Sequence, residues 1–375
     1  MELQEIRGKL DELDPQIVRL FEERMRLCHE VAEYKIAAGK AVYDPEREKQ
    51  KLETLQNLTD GAFNRQAVKE LFLQIMTLSR RYQYQRMAGR MTQPDLGFQK
   101  IERLRTEGCR VAFQGLEGAY SHAAALSFFG PDAELYHVRL FEDLMIEVQE
   151  GRADYAVLPI ENSSAGAVTD SYDLLMKYDN YIVAELFLPI RHFLLGREEA
   201  DLAGIRRVFA HPQALMQSSE YLNGHRDWQQ ISLENNAVAA KKVRDDGDPA
   251  QAAVAGEEAA QVYGLKKLAG PINNSSGNTT RFLILSRQPV YQAGAGKISL
   301  CFELPHQSGT LYNMLGNFIF NNVNMTMIES RPIPERSWEY RFFVDIEGNL
   351  EQAGVQNALC GIRQEARNVK IFGNY

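Results

Sequence analysis

Apolar positions follow three successive patterns along the chain. From residue 3 to about residue 38, Ile6, Leu10, Leu13, Ile17, Leu20, Leu27 and Val31 recur every third or fourth position, the spacing of one helix face. No glycine or proline interrupts this stretch between Pro15 and Gly39, and Pro15 itself predicts at most a kink. Asp44 and Pro45 read as the cap and first position of a second helix ending near residue 57. A third helix is expected over about 64–87, with Leu71, Ile75 and Leu78 on one side. A helix as long as the first extends about 52 Å at about 1.5 Å per residue, beyond what so short a segment can cover alone. A second copy is the expected cover for its apolar face.

The pattern then changes. Residues 89–100 (GRMTQPDLGFQK) mix glycine, proline and polar residues without periodicity and read as a linker. From Arg110, short apolar runs at 110–113, 134–138, 155–160, 181–186, 207–209, 230–233 and 251–254 alternate with helical stretches. Such alternation predicts parallel sheets with crossover helices, in two lobes around a cleft. After the flexible joint 292–296, the pattern becomes strand, helix, strand, strand, helix, strand, opened by a half-buried strand in which Ile298, Leu300, Phe302 and Leu304 alternate with Lys297, Ser299, Cys301 and Glu303. The expected domains are 1–89, a linker 90–108, 109–291 and 296–375. The fold class is multidomain: an all-α three-helix domain, a two-lobed α/β domain and a ferredoxin-like α+β domain.

Composition narrows the function classes. A hydrophobic content of 45% and a charged content of 25% are ordinary for a globular chain, and a formal net charge of -8 offers no footprint for nucleic acid. No apolar run approaches the roughly 18 residues of a membrane span, and Met1 to Asp14 do not read as a secretory signal. Cys28, Cys109, Cys301 and Cys360 lie far apart, which points to reduced thiols in the cytoplasm rather than a zinc site.

Candidate chemistry begins in the helices. Arg24 and Lys35 are about 20° apart in helical phase and roughly 16 Å apart along the axis, so both reach one small anionic ligand. Arg7 lies roughly 25 Å from Arg24 and about 100° off in phase, and only an antiparallel partner helix delivers it to that ligand. Asp44, Arg47 and Glu48 open the second helix, while Ser79 and Gln83 share a face of the third. This set resembles the all-helical chorismate mutases, which form intertwined dimers. The resemblance implies that Arg7, Arg24 and Arg47 grip carboxylates and that Lys35 and Gln83 bond the departing ether oxygen. Glu48 would hold the substrate hydroxyl, with Asp44 and Ser79 completing the site. The rearrangement needs compression and charge stabilisation, not a nucleophile.

In the α/β region, Asn278-Thr279-Thr280-Arg281-Phe282 joins a polar loop to an apolar strand, presenting a hydroxyl beside a guanidinium. Gly118-Ala119-Tyr120-Ser121 and His211-Pro212-Gln213 read as strand-to-helix junctions. The small-residue loop after Pro159-Ile160-Glu161-Asn162 reads as a possible anion cradle of backbone amides. The motifs GAYSHAAA, PIENSSAGAV, HPQAL, the run from Glu257 to Leu265, and NTTRF together resemble prephenate dehydratase across about 110–290. That resemblance implies a two-lobed, periplasmic-binding-like fold with Thr280 as the catalytic hydroxyl. It also implies substrate contacts from Asn162, Ser163, Gln213 and Arg281. Asn235-Asn236 stands where the family usually places Ser or Thr.

The last segment resembles the ACT regulatory domain, with Glu329-Ser330-Arg331-Pro332 matching its signature and Gly309-Thr310-Leu311-Tyr312 standing for its Gly-Ala-Leu-Val motif. It implies effector contacts from Gly309, Thr310, Leu311, Glu329 and Ser330. Together the resemblances imply conversion of chorismate to prephenate and then phenylpyruvate, with phenylalanine as allosteric inhibitor. They imply a homodimer or higher homo-oligomer, and no metal or organic cofactor. Arogenate stays open as an alternative substrate.

Overall fold

Helix capping sets the first element. The Glu2 amide donates to the Glu5 carboxylate at 3.2 Å, and helix α1 runs unbroken through Pro15 from Leu3–Ala38. It closes at Gly39, whose φ of 61° lies in the left-handed region that glycine tolerates. Asp44 caps α2 (Pro45–Gln56) by accepting from the Arg47 amide at 3.1 Å, as its sequence position predicts. Helix α3 (Ala62–Met87) buries Met76, Ser79, Arg80, Gln83, Tyr84 and Met87.

The computed structural model describes residues 2–87, 96–307, 309–334 and 336–375, so residues 90–95 of the expected linker lie outside the described residues. The chain divides into two units, Met1–Leu96 with Ala295–Ile371 and Gly97–Gly294 with Phe372–Tyr375. Among the described residues no helix is long and apolar enough to cross a membrane.

In the first unit the three helices are followed by strand Lys297–Leu304, helix Thr310–Ile319, strands Met325–Pro332 and Tyr340–Glu347, helix Ala353–Glu365 and all but the last three residues of strand Arg367–Asn374. The sheet order is Met325–Pro332, Tyr340–Glu347, Lys297–Leu304, Arg367–Asn374, so the first and last strands lie side by side. Lys297–Leu304 departs from the half-buried expectation, because its polar residues are buried too. Ser299 donates to Asp345 at 2.5 Å, and Glu303 accepts from Arg336 at 3.0 Å and Asn368 at 2.7 Å. Partners make this polar face buriable.

Beside a two-stranded parallel pair, Gln99–Ile101 with Val290–Gln292, the second unit has two large sheets. One orders Glu134–Val138, Arg110–Gln114, Tyr155–Asn162, Thr279–Ser286 and Tyr181–Pro189, with Gly166–Ala167 paired to Tyr155–Asn162. The other orders Lys266–Ala269, Phe193–Gly196, Gln251–Ala255, Arg207–Ala210 and Gln229–Ser232. The expected parallel sheets are therefore mixed. The crossover strands pair in parallel, but Thr279–Ser286 runs antiparallel to both neighbours, as does Phe193–Gly196. The chain crosses between lobes after Pro189 and returns before Asn278, so the strands at the crossings enter each sheet from the opposite end. The two lobes approach closely at Gly118: its φ is 85°, and a Cβ there would stand 2.8 Å from the Ala259 backbone.

Candidate active sites

The returning strand builds the first site. Thr280 stands opposite Asn162 on one neighbouring strand and Leu188 on the other. A register shift between Arg281 and Phe282 leaves Ile160 as the extra residue of the partner strand, which re-aims Glu161 and Asn162 at the strand end. The Asn162 amide nitrogen donates to Thr280 Oγ1 at 2.8 Å and to Asn278 Oδ1 at 2.8 Å. The threonine oxygen thus accepts a hydrogen bond, leaving its own O–H to donate to a bound group.

Ser163 serves the backbone: its amide donates to Thr279 O at 2.9 Å and its hydroxyl to Gly277 O at 3.1 Å. The anion cradle expected of this loop is not formed. The Ser164 and Ala165 amides both donate to Asn162 Oδ1, at 3.1 and 3.0 Å, because the asparagine side chain reaches them first.

Arg281 is separated from Thr280 by strand alternation, since successive side chains face opposite ways. Its guanidinium donates to Glu185 at 2.7 Å and to the Tyr375 hydroxyl at 2.8 Å, and its side chain is 7% exposed. The expected substrate contact from Arg281 is corrected on this ground: its fork is engaged in a buried ion pair.

Gln213 is half-buried in the first turn of helix Pro212–Gln217, which His211 caps by accepting from the Gln213 amide at 3.2 Å. One turn later stands Gln217, which sequence reasoning missed. It donates to Ser164 Oγ at 2.6 Å and accepts from Asn278 at 3.1 Å. The available signal was its i, i+4 spacing from Gln213. Asn235 caps helix Asn236–Asp246 by accepting from the Val238 amide at 2.8 Å, and Asn236 accepts from the His211 amide at 2.8 Å, so these residues do the capping work of Ser or Thr. A cavity of about 610 Å³ opens beside them, lined by Gln114, His137, Arg139, Leu140 and Glu234 among others.

The helical site gathers two groups of the expected residues. Arg24 donates to Ser79 Oγ, and Gln83 donates to Ser79 O at 3.2 Å. Gln83 is 6% exposed, and its Oε1 has no hydrogen-bond partner among the described residues, an orphaned buried acceptor suited to a ligand. Lys35 donates to Val42 O at 2.5 Å; burial pulls its ammonium down, while the Asp44 and Glu48 carboxylates hold it up. Arg47 adds a like charge to this group. Arg7 is exposed on the first turns of α1, away from these residues, as its phase predicts.

Arg80, which sequence reasoning also missed, holds Glu48 at 2.5 Å and Glu365 at 3.2 Å with its side chain 9% exposed. Burial pushes the Glu365 carboxyl up, and Arg80 opposes that rise. The signal was its place on the buried Met76–Arg80–Tyr84 stripe of α3.

In the C-terminal segment Gly309, at φ 82°, caps helix Thr310–Ile319, and the Thr310 hydroxyl donates to Pro305 O at 3.1 Å. Leu311 is half-buried in the first turn. Glu329 and Ser330 stand on the edge strand opposite Phe343 and Phe342.

The two regions that carry these sites have counterparts. Residues 111–290 match the family model for prephenate dehydratase, and residues 6–84 match that for chorismate mutase type II. A bifunctional chorismate mutase/prephenate dehydratase of Neisseria gonorrhoeae is 34% identical over 98% of this chain and 95% of its own. The chain belongs to the bifunctional chorismate mutase/prephenate dehydratase family. It carries both enzyme activities.

Among solved structures, a prephenate dehydratase from Arthrobacter aurescens in complex with L-Phe is 28% identical, with a TM-score of 0.66 over 71% of this chain and 89% of that one. GqqA, described as a novel type of quorum quenching acylase, is 33% identical, with a TM-score of 0.65 over 70% of this chain and 96% of that one.

Proposed function

We propose that the two activities run at separate sites in series. At the helical site Arg24, Arg47 and Arg7 from a second copy grip the carboxylates of chorismate, while Lys35 and the second Nε2–H of Gln83 donate to the ether oxygen as it departs. Asp44, Glu48 and Ser79 complete the enclosure. Fixing the substrate in its reactive geometry and stabilising developing charge are the whole of the catalysis. The apolar face of α1 supports the second copy: Leu10, Ile17 and Leu20 are 53%, 62% and 67% exposed.

Prephenate then passes to Thr280. The ring carboxylate leaves as carbon dioxide, its bonding electrons enter the ring, and the ring hydroxyl departs as hydroxide, held by a hydrogen bond from the Thr280 O–H and protonated to water by solvent. Aromatisation supplies the driving force, so a positioned donor suffices. The observation that carries this reading is the Asn162 amide bonded to Thr280 Oγ1 at 2.8 Å, which leaves the hydroxyl proton for the substrate. Asn162, Ser163 and Gln213 frame the site.

The strand-helix-strand-strand-helix-strand order of residues 296–375 supports an ACT domain that binds phenylalanine near Gly309, Thr310, Leu311, Glu329 and Ser330. The L-Phe complex of the Arthrobacter aurescens relative supports the same effector. Feedback follows if phenylalanine binds one conformational state more tightly than another. The four free thiols support a cytoplasmic setting. A coupled assay with chorismate, prephenate and arogenate, each with and without phenylalanine, tests the whole reading. Phenylpyruvate from prephenate, suppressed by phenylalanine, is the expected result; turnover of arogenate alone would overturn it.

A further inference from the structure

A continuous hydrogen-bond chain reaches Thr280 from a histidine that the reaction scheme does not use. His192 lies where the chain passes from strand Tyr181–Pro189 to strand Phe193–Gly196, and it is 2% exposed. Its amide donates to Asn273 Oδ1 at 2.7 Å, and its carbonyl accepts from Ile272 at 2.8 Å, tying it to the return crossing. Its Nδ1 meets the Tyr120 hydroxyl at 2.8 Å and its Nε2 meets Gln217 Oε1 at 2.9 Å.

Donor and acceptor roles are determined step by step. A glutamine carbonyl only accepts, so Nε2 carries the hydrogen and Nδ1 is left as an acceptor, which shares the single Tyr120 hydroxyl hydrogen with the Arg191 carbonyl, each at 2.8 Å from that oxygen. Burial disfavours the imidazolium, consistent with one neutral tautomer. The same Gln217 oxygen accepts from Asn278 at 3.1 Å, and its amide nitrogen donates to Ser164 Oγ at 2.6 Å. With the Asn278 amide turned toward Gln217, its Oδ1 faces Asn162 and accepts from that amide nitrogen at 2.8 Å. The Ser164 and Ala165 amides on Asn162 Oδ1 keep the Asn162 nitrogen, not its oxygen, toward Thr280 Oγ1, and the Asn278 contact sets where that nitrogen lies. Reversing the Asn162 amide would present an acceptor to the threonine and capture the hydrogen bond that the departing hydroxyl needs.

We propose that His192 is a positioning residue for the dehydratase reaction, its Nε2–H fixing Gln217 and, through Gln217 and Asn278, the placement of the Asn162 amide nitrogen on Thr280. This rests on the reading of Thr280 as the donor to the leaving hydroxyl. Tyr120 belongs to the first lobe, Gln217 to the second and His192 to the crossing between them. The relay therefore also ties the threonine's orientation to the approach of the lobes.

Two substitutions separate the donor from the bulk it occupies. Glutamine at 192 can place an amide N–H near the position of Nε2. Asparagine is too short for that and reaches only the Nδ1 position. His192→Asn should lower dehydratase kcat roughly ten- to a hundred-fold with KM nearly unchanged, the loss typical of removing a partner that orients a functional side chain. His192→Gln should restore most of it. Unfolding midpoints and chorismate mutase turnover of each full-length variant report on folding, and Thr280→Val is assayed alongside.

Equal loss in His192→Asn and His192→Gln would assign the residue to packing and overturn the proposal. A wild-type rate in His192→Asn beside an inactive Thr280→Val would overturn it while leaving Thr280 in its role. An active Thr280→Val would remove that role, and the relay's purpose with it.

Discussion

The side-chain nitrogen of Asn162 lies 2.8 Å from Oγ1 of Thr280, across two antiparallel strands that set the residues directly opposite each other. This pairing leaves the Thr280 hydroxyl proton free to be donated, as the proposed dehydratase role requires. Asn162→Asp replaces the donor by an acceptor of the same shape and should lower dehydratase kcat by about a hundred-fold or more, the scale of a lost hydrogen-bond donor to developing charge. Chorismate mutase turnover by the same chain should be unchanged. Steady-state assays of both activities on one preparation check the split.

Arg281, one residue further on, should behave differently. Its ion pair with Glu185 is buried, so Arg281→Ala leaves an unpaired carboxylate and should cost about 3 kcal/mol of stability. Denaturant unfolding measures that loss. A raised KM for prephenate without a change in stability would instead assign Arg281 to the substrate.

Strand periodicity already separates these neighbours: alternation puts Thr280 and Arg281 on opposite faces. Helix α1 was equally legible, because a stripe every three or four residues survives Pro15. The short strands Phe193–Gly196 and Lys266–Ala269 were not, since four apolar or mixed residues carry no period of their own. Their reversed direction depends on where the chain crosses between lobes, which local pattern does not encode. Gln217 and Arg80 were hidden for a related reason. Each acquires its role from partners far away in sequence, Ser164 and Asn278 for one, Glu48 and Glu365 for the other.

Arg80 joins a helical-site carboxylate to helix Ala353–Glu365 of the C-terminal segment. Arg80→Ala should raise the KM for chorismate, because Glu48 loses the cation that holds it, and should destabilise the protein by about 3 kcal/mol through two uncompensated carboxylates. Mutase kinetics and denaturant unfolding check the two effects.

Burial pulls His122, His192 and His211 below the ordinary imidazole range. A base depressed in the fold takes up its proton more readily when unfolded. Its stabilising contribution is whole above the unfolded value of about 6.5 and is lost as pH falls through the folded value. Denaturation midpoints should therefore drop between about pH 7.5 and about pH 5.5, and His192→Gln should narrow the drop. A pH-independent midpoint in the wild-type chain would contradict this.

If two copies share each mutase site, as proposed, Arg7 and Arg24 are separable. Chains carrying Arg7→Ala and Arg24→Ala are each expected to be inactive alone, yet mixed dimers should regain one intact site from the unmutated halves. Activity of isolated heterodimers tests it, and inactivity in verified heterodimers would rule out sharing.

The separation of the two active sites is tested most directly by following chorismate consumption and phenylpyruvate formation from prephenate on Arg24→Ala and Thr280→Ala. Arg24→Ala should abolish the first and spare the second, and Thr280→Ala should do the reverse. Loss of both activities together in either folded variant would contradict two independent sites.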